Sequence, residues 1–209
     1  MEYSAQPQVN KNHYNFIKYS NSDTWMNFWY QIFYILNLKP KTVLEIGPGN
    51  KTVTDVLKKN NIQVTTVDID PSLAPDVVAS VTKLPFAEKS FDLVLCSEVL
   101  EHLPYDLFKS SLVEIKRVCR DNVVLCLPHA GAVFQVNFKF PLIKPMNIFF
   151  KIPFFWKEHK FNGQHYWETG KKKYSIAKIK KDIGLTGLEI IETSIYHDDP
   201  AHYFFILKV

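Results

Sequence analysis

The chain has 209 residues, 46% of them apolar and 22% charged, with a net charge of +4, a balance that suits one soluble globular domain and excludes a disordered or fibrous chain. Its three scattered cysteines, Cys96, Cys119 and Cys126, exclude a disulfide framework and form no C-x-x-C pair, so a reducing, cytoplasmic setting is expected and no metal is. A polar N-terminus and the lack of any run near ~20 apolar residues predict neither a secretory signal nor a spanning helix.

In chain order, Asp23 reads as the N-cap of a helix over Thr24 to Leu36. Its apolar residues Trp25, Phe28, Trp29, Ile32, Phe33 and Leu36 recur at helical spacing, and Lys39-Pro40 ends it. The apolar run Val43-Leu44-Glu45-Ile46 then stops at Gly47-Pro48-Gly49. A helical pattern with Val53, Val56 and Leu57 on one face follows, then a strand-like Val64-Thr65-Thr66-Val67 ending in Asp68. Strand, glycine turn, helix and strand in this order build a nucleotide pocket at the carboxyl ends of an open sheet. The glycines let backbone bend sharply and approach a ligand. Asp68, 19 residues after Gly49, is placed to accept ribose hydroxyls.

Further on, Pro75 to Ala79 holds a short third strand and Phe91 to Cys96 a fourth. Tyr105 to Arg120 reads as a helix with Leu107, Leu112, Ile115 and Val118 on its apolar face, and Asp121-Asn122 as a turn. Val123 to Leu127 is apolar throughout, which suits a buried parallel strand. Lys171 to Asp182 reads as a helix closed by Gly184. Leu188 to Ser194 and Tyr203 to Val209 form two late strands joined through Asp198-Asp199-Pro200.

A dinucleotide site wants a third glycine where Thr52 stands. Glu45, Gly47 and Gly49 instead resemble the first motif of the class I S-adenosylmethionine-dependent methyltransferases, roughly E-x-G-x-G-x-G, with Lys51 at the third glycine. Leu84-Pro85-Phe86 and Phe91-Asp92-Leu93-Val94 match a later segment of the small-molecule, type 11-like members. Ser97 to Leu103 matches their S-x-x-L-E-H-L. The resemblance implies a Rossmann-like α/β fold with a mostly parallel seven-stranded sheet, order 3-2-1-4-5-7-6, and S-adenosyl-L-methionine as cofactor. Carried over residue by residue, it assigns cofactor binding to Glu45, Gly47, Pro48, Gly49, Asp68, Ile69, Ser80, Val81, Ser97, Glu98 and His102. Ser80 takes the place of the acid that receives the adenine amino group. The resemblance also implies an N-terminal helical lid within residues 1–40, with Tyr14 or Tyr19 touching the pocket.

Residues 130–170 fall outside the resemblance and read as an insertion after the fifth strand that covers the substrate. Eleven aromatics lie between Phe134 and Trp167, and Lys139 to Lys181 holds eleven lysines against Glu158 and Glu168. Three readings fit. The aromatics fill a small core of the cover itself, they meet an anionic membrane surface, or they stack on nucleic acid, which no RNA-binding motif supports. Phe161 to Gly170, dense in hydrogen-bonding groups, reads as a pocket wall or a polar hairpin. His129, just past the fifth strand, and then His165 are the candidates for a catalytic base. The chain therefore reads as one methyltransferase domain, residues 1–209, acting on a small-molecule or lipid-like acceptor. A silent nucleotide-binding module that recruits partners, a nicotinamide oxidoreductase and an RNA methyltransferase are the rivals.

Overall fold

The structure, a computed structural model, describes residues 6–9, 11–15 and 19–209. Seven strands form one sheet: β1 (Thr42–Ile46), β2 (Gln63–Asp68), β3 (Val77–Val78), β4 (Phe91–Ser97), β5 (Cys119–Pro128), β8 (Glu189–Ser194) and β9 (His202–Lys208), with β6 (Gly131–Phe138) and β7 (Met146–Pro153) apart as a two-stranded hairpin. The sheet order is β3-β2-β1-β4-β5-β9-β8. Counting only its own strands, that is the 3-2-1-4-5-7-6 order expected. β1 to β5 pair in parallel, and β9 runs antiparallel between β5 and β8.

Among the described residues, the helices that complete the layers are α1 (Ser22–Leu38), α2 (Thr52–Lys59), α3 (Phe108–Val118) and α4 (Ile176–Gly184). The central strands are apolar on both faces because both are covered. Side chains alternate, so Val43 joins a core with Phe28, Ile35 and Leu57, whereas Leu44 joins one with Leu112, Ile115, Ile179 and Trp167.

Several local elements differ from the expected ones. Asn21, not Asp23, caps α1, its side chain accepting from Thr24 N; an N-cap acceptor reaches the amide two or three residues on. Along α1, Trp25, Trp29 and Phe33 form a second, exposed stripe. The helix expected over Tyr105 to Arg120 is a 3-10 turn (Tyr105–Leu107) followed by α3, and Asp121 and Asn122 belong to β5. These polar residues make no turn because Cys119 is already extended, at φ −90 and ψ 140. Ser175 starts α4, and the left-handed residue after it is Gly187 (φ 77), not Gly184.

The first part of the insertion, residues 131–153, is a hairpin without a core of its own. In the β6–β7 register Ala132, Phe134, Val136 and Phe138 stand opposite Ile152, Phe150, Ile148 and Met146. All eight share one face by the period of two, and all but Ala132 are exposed. Pro141 and Pro145 fall in the connecting loop, where no ladder needs the N–H that proline lacks. Among the described residues no helix is long and apolar enough to cross a membrane.

Candidate functional site

The glycine turn is built as its residue types demand. Gly47 has φ 71 and Gly49 φ 51, left-handed backbone that a side chain opposes. A Cβ on Gly47 would overlap Val99 Cγ2. Gly47 N–H donates to Val67 O at 2.8 Å, pinning the turn to the end of β2. Lys51, at the third glycine of the motif, also has φ 63, so this position keeps the left-handed backbone without the glycine. Its Nζ reaches the Ala74 carbonyl on the neighbouring loop.

The carboxyl ends of β1, β2 and β4 open into one cavity, as expected of this sheet. Of the residues assigned from sequence, Gly47, Asp68, Ile69, Ser80, Val81, Ser97, Glu98 and His102 line it. Asp68 Oδ1 accepts from Asp70 N at 2.9 Å. Burial raises the Asp68 carboxyl above its ordinary range, partly opposed by the Asp70 amide. The Ser97 hydroxyl is buried without a hydrogen-bond partner among the described residues. Ser80 is already engaged: its hydroxyl lies 2.9 Å from that of Thr82. Glu98 carries a left-handed backbone (φ 54), and burial lifts its carboxyl well above the ordinary range.

Three assigned residues lie outside the lining. Glu45 is a buried residue of β1 that accepts from the Thr54 hydroxyl of α2, and burial lifts its carboxyl to about 7. Pro48 does not reach the cavity. Gly49 lies under the ring of Tyr14, which a Cβ would meet at 3.1 Å.

The cover over the cavity also differs from the expected one. Helix α1 contributes nothing to the lining and packs in the core of Val43 and Leu57. The lining comes instead from the segment before it: Gln6, Pro7, Gln8, Val9, Tyr14 and Tyr19. Tyr14 and Tyr19 meet edge to face at 5.0 Å. Burial, with Asp68 next, pushes the Tyr14 hydroxyl up to about 12. No residue of 130–170 lines the cavity. Gln8 carries no sequence signal of its role; Tyr14 and Tyr19 were signalled only by the resemblance.

His129 does not line the cavity either. It is 7% exposed, packs edge to face on Tyr203, and both ring nitrogens lack a hydrogen-bond partner among the described residues. Burial, helped by Lys151, lowers its pKa to about 4. The apolar strand end that made it a candidate also encloses it.

His165 lies next to the cavity wall. Asn162 Oδ1 accepts from both Gln164 N and His165 N, an Asx turn that sets the loop. The loop docks on the turn after β4 through Tyr166 N to Glu101 O (2.9 Å) and Trp167 Nε1 to Leu103 O (3.1 Å). So placed, the His165 ring stands edge to face on His102 at 4.9 Å. Its Nδ1 is 3.3 Å from Glu168 Oε1. Against burial, which favours the neutral ring, Glu168 and Glu101 raise the His165 pKa. Burial alone would raise Glu168, but His165 and Lys171 hold it down to about 2. Phe161 to Gly170 is thus a wall behind His102.

Residues 44–127 match the family model described as "Methyltransferase domain". A 55-residue stretch is 38% identical to the ribosomal RNA small subunit methyltransferase A of Phytoplasma australiense, spanning 26% of this chain and 19% of that protein. Among solved structures, the 1,6-didemethyltoxoflavin-N1-methyltransferase of Burkholderia thailandensis, with bound 1,6-didemethyltoxoflavin and S-adenosylhomocysteine, aligns over 89% of this chain and 80% of its own at TM-score 0.62 and 16% identity. The magnesium protoporphyrin IX methyltransferase of Synechocystis, with bound S-adenosylhomocysteine, covers 93% and 87% at TM-score 0.60 and 14% identity. An S-adenosylmethionine-dependent methyltransferase of Clostridium acetobutylicum covers 95% and 96% at TM-score 0.60 and 10% identity. At these identities the structural likeness speaks for the fold.

Proposed function

We infer that this chain, which has the class I methyltransferase fold and a methyltransferase-domain match over residues 44–127, transfers a methyl group from S-adenosylmethionine, and we propose that the acceptor is a small-molecule or lipid-like compound. The observation that carries the cofactor half is the cavity itself. The Gly47 backbone and the Asp68 carboxylate stand on its lining, and Ser97 offers a buried hydroxyl with no hydrogen-bond partner among the described residues. Those groups fit an adenosyl ribose and a polar amino-acid end. The sulfonium supplies an electrophilic methyl that needs no further activation. The protein's share is to orient the two reactants and exclude water, which supplies on the order of 7–11 kcal/mol. Asp68 holds the ribose, Gly47 lets the chain close on the ligand, and residues 6–9 with Tyr14 and Tyr19 cover it.

The lipid-like acceptor is supported by the β6–β7 hairpin. Its apolar face is exposed, and Lys139 and Lys144 in its loop are exposed too. Apolar side chains beside ammonium groups suit acyl chains beside anionic head groups. Peripheral contact with an anionic membrane surface follows from the same reading. RNA is the second acceptor class, favoured by the 55-residue match to a ribosomal RNA enzyme; that match spans a small share of either chain.

The test is transfer from a methyl-labelled cofactor to a total cell extract, fractionated afterwards into lipid, small-molecule and RNA pools. Label in the lipid or small-molecule pool supports the reading. Label confined to RNA overturns the acceptor class. Binding of S-adenosylhomocysteine without transfer to any pool favours a silent module.

A further inference from the structure

Beside the cavity, three metal-ligating side chains converge from sequence positions far apart. Glu101 and His102 lie on the 3-10 turn after β4, and His165 on the docked loop. One ligand atom from each lies within 4.8 Å of the others. His102 Nε2 is 3.8 Å and His165 Nε2 4.0 Å from Glu101 Oε1. Ligands around a transition metal at ~2.0–2.2 Å stand about 3 Å apart, so small side-chain movements close the set.

Two independent features point to a cation rather than a structural cluster. Glu101 is 0% exposed, yet neither carboxylate oxygen has a hydrogen-bond partner among the described residues. A buried carboxylate left so is costly unless something positive meets it. Both imidazoles are also oriented from behind. His102 Nδ1 faces Gln8 Oε1 at 2.7 Å and the Gln164 carbonyl at 3.2 Å. His165 Nδ1 faces Glu168 Oε1 at 3.3 Å. A ring whose Nδ1–H donates to an oxygen presents the Nε2 lone pair on its other side, the arrangement by which metal-bound histidines are fixed. Both Nε2 atoms are directed at Glu101.

We propose that Glu101, His102 and His165 bind one divalent transition-metal cation, and, resting on the methyltransferase reading above, that this cation takes a hydroxyl oxygen of the acceptor. Two histidines and a carboxylate suit iron(II), manganese, cobalt or zinc, and leave coordination positions open for oxygen. His102 belongs both to this set and to the cavity wall, so the open side adjoins the space for the reactants. A hydroxyl held there releases its proton to water more readily. Its oxygen then bonds to the methyl carbon as the carbon–sulfur bond breaks, the electron pair staying on sulfur. The products are a methyl ether, the neutral thioether and one proton. The acceptor class narrows to molecules with a hydroxyl or phenol.

Cobalt(II) titration of the full chain, followed by its visible absorption, tests the site without any need for turnover. The wild type is expected to saturate with one equivalent, and Glu101→Gln and His165→Gln to bind at least tenfold more weakly. Glu101→Gln keeps the buried volume. His165 is partly exposed, with 20% of its side chain accessible, so His165→Gln gives a folded comparison if the first variant does not fold. No uptake by the wild type, or equal uptake by a folded variant, overturns the site. Catechol added to the cobalt form then tests the acceptor class: a changed spectrum supports it and an unchanged one overturns it. Calorimetry with S-adenosylhomocysteine on the same samples reports separately on the cofactor site.

Discussion

Gln8 holds His102 at two points. Its Nε2 donates to the His102 carbonyl at 2.9 Å, and its Oε1 lies 2.7 Å from the ring Nδ1. The segment that covers the cavity is thereby fastened to the wall that borders it, across 94 positions of sequence. Gln8→Ala removes both bonds, each worth roughly 0.5–1.5 kcal/mol. Affinity for S-adenosylhomocysteine should fall about tenfold, mainly through faster release, with thermal stability near wild type. Calorimetry and stopped-flow release measure this, and an unchanged release rate means that the segment does not retain the ligand.

Asp68 is assigned to the ribose. A hydrogen bond to a charged group is worth ~1.5–3 kcal/mol, so Asp68→Ala should weaken S-adenosylhomocysteine by roughly one to two orders of magnitude. Asp68→Asn, which keeps one acceptor, should fall between. Wild-type affinity in both variants removes the ribose assignment.

Glu45 gives a pH signature in stability. Burial lifts its carboxyl from 4.5 to about 7, with the Thr54 hydroxyl opposing. The folded-state value is the higher one. Between 4.5 and about 7 the folded chain therefore holds a proton that the unfolded chain has released. Stability from this group is complete at low pH and falls as pH rises through 7. The loss is on the order of 3 kcal/mol. Glu45→Gln keeps an acceptor for Thr54 and cannot ionise, so its melting temperature should exceed wild type by roughly 5–10 °C at about pH 8 and match it near pH 5. Equal shifts at both values contradict the assignment.

Trp167 shows that the later part of 130–170 belongs to the fold. It is 0% exposed, and its Nε1 donates to Leu103 O. Trp167→Ala should cost about 3–5 kcal/mol, read as a lowered denaturant midpoint. A loss below 1 kcal/mol would show that the loop is not anchored there.

The hairpin behaves differently. Phe134 and Phe150 stack at 4.9 Å across the strands, yet they are 47% and 52% exposed. Replacing both by serine should change stability by less than about 1 kcal/mol. The same change should reduce sedimentation with phosphatidylglycerol vesicles severalfold. Undiminished sedimentation counts against the membrane-facing role.

What the sequence disclosed was local or periodic. Gly47, Asp68 and the apolar runs of β1, β4 and β5 sit in continuous stretches whose residue types dictate their backbone, so the sheet and its pocket edge were readable. Asp121 and Asn122 misled because a polar pair resembles a turn even where it begins a strand. The alternation of Phe134, Val136 and Phe138 with polar residues was on view as a strand pattern, but the dense aromatics drew it toward a packed cover. The meeting of His102 with His165, and of both with Glu101, depends on how the loop docks through Trp167. No spacing rule encodes that. His129 stands away from the cavity for the opposite reason: it is at a strand end as its position implies, but Tyr203 and Gly170 close over it.

Strand β9 is made after β8 but is inserted between it and β5. Until His202–Lys208 leaves the ribosome, β5 therefore carries a bare, apolar edge with unmet amides and carbonyls, able to recruit stray strands. The nascent chain is most prone to aggregation in that interval, and chaperone dependence should concentrate there.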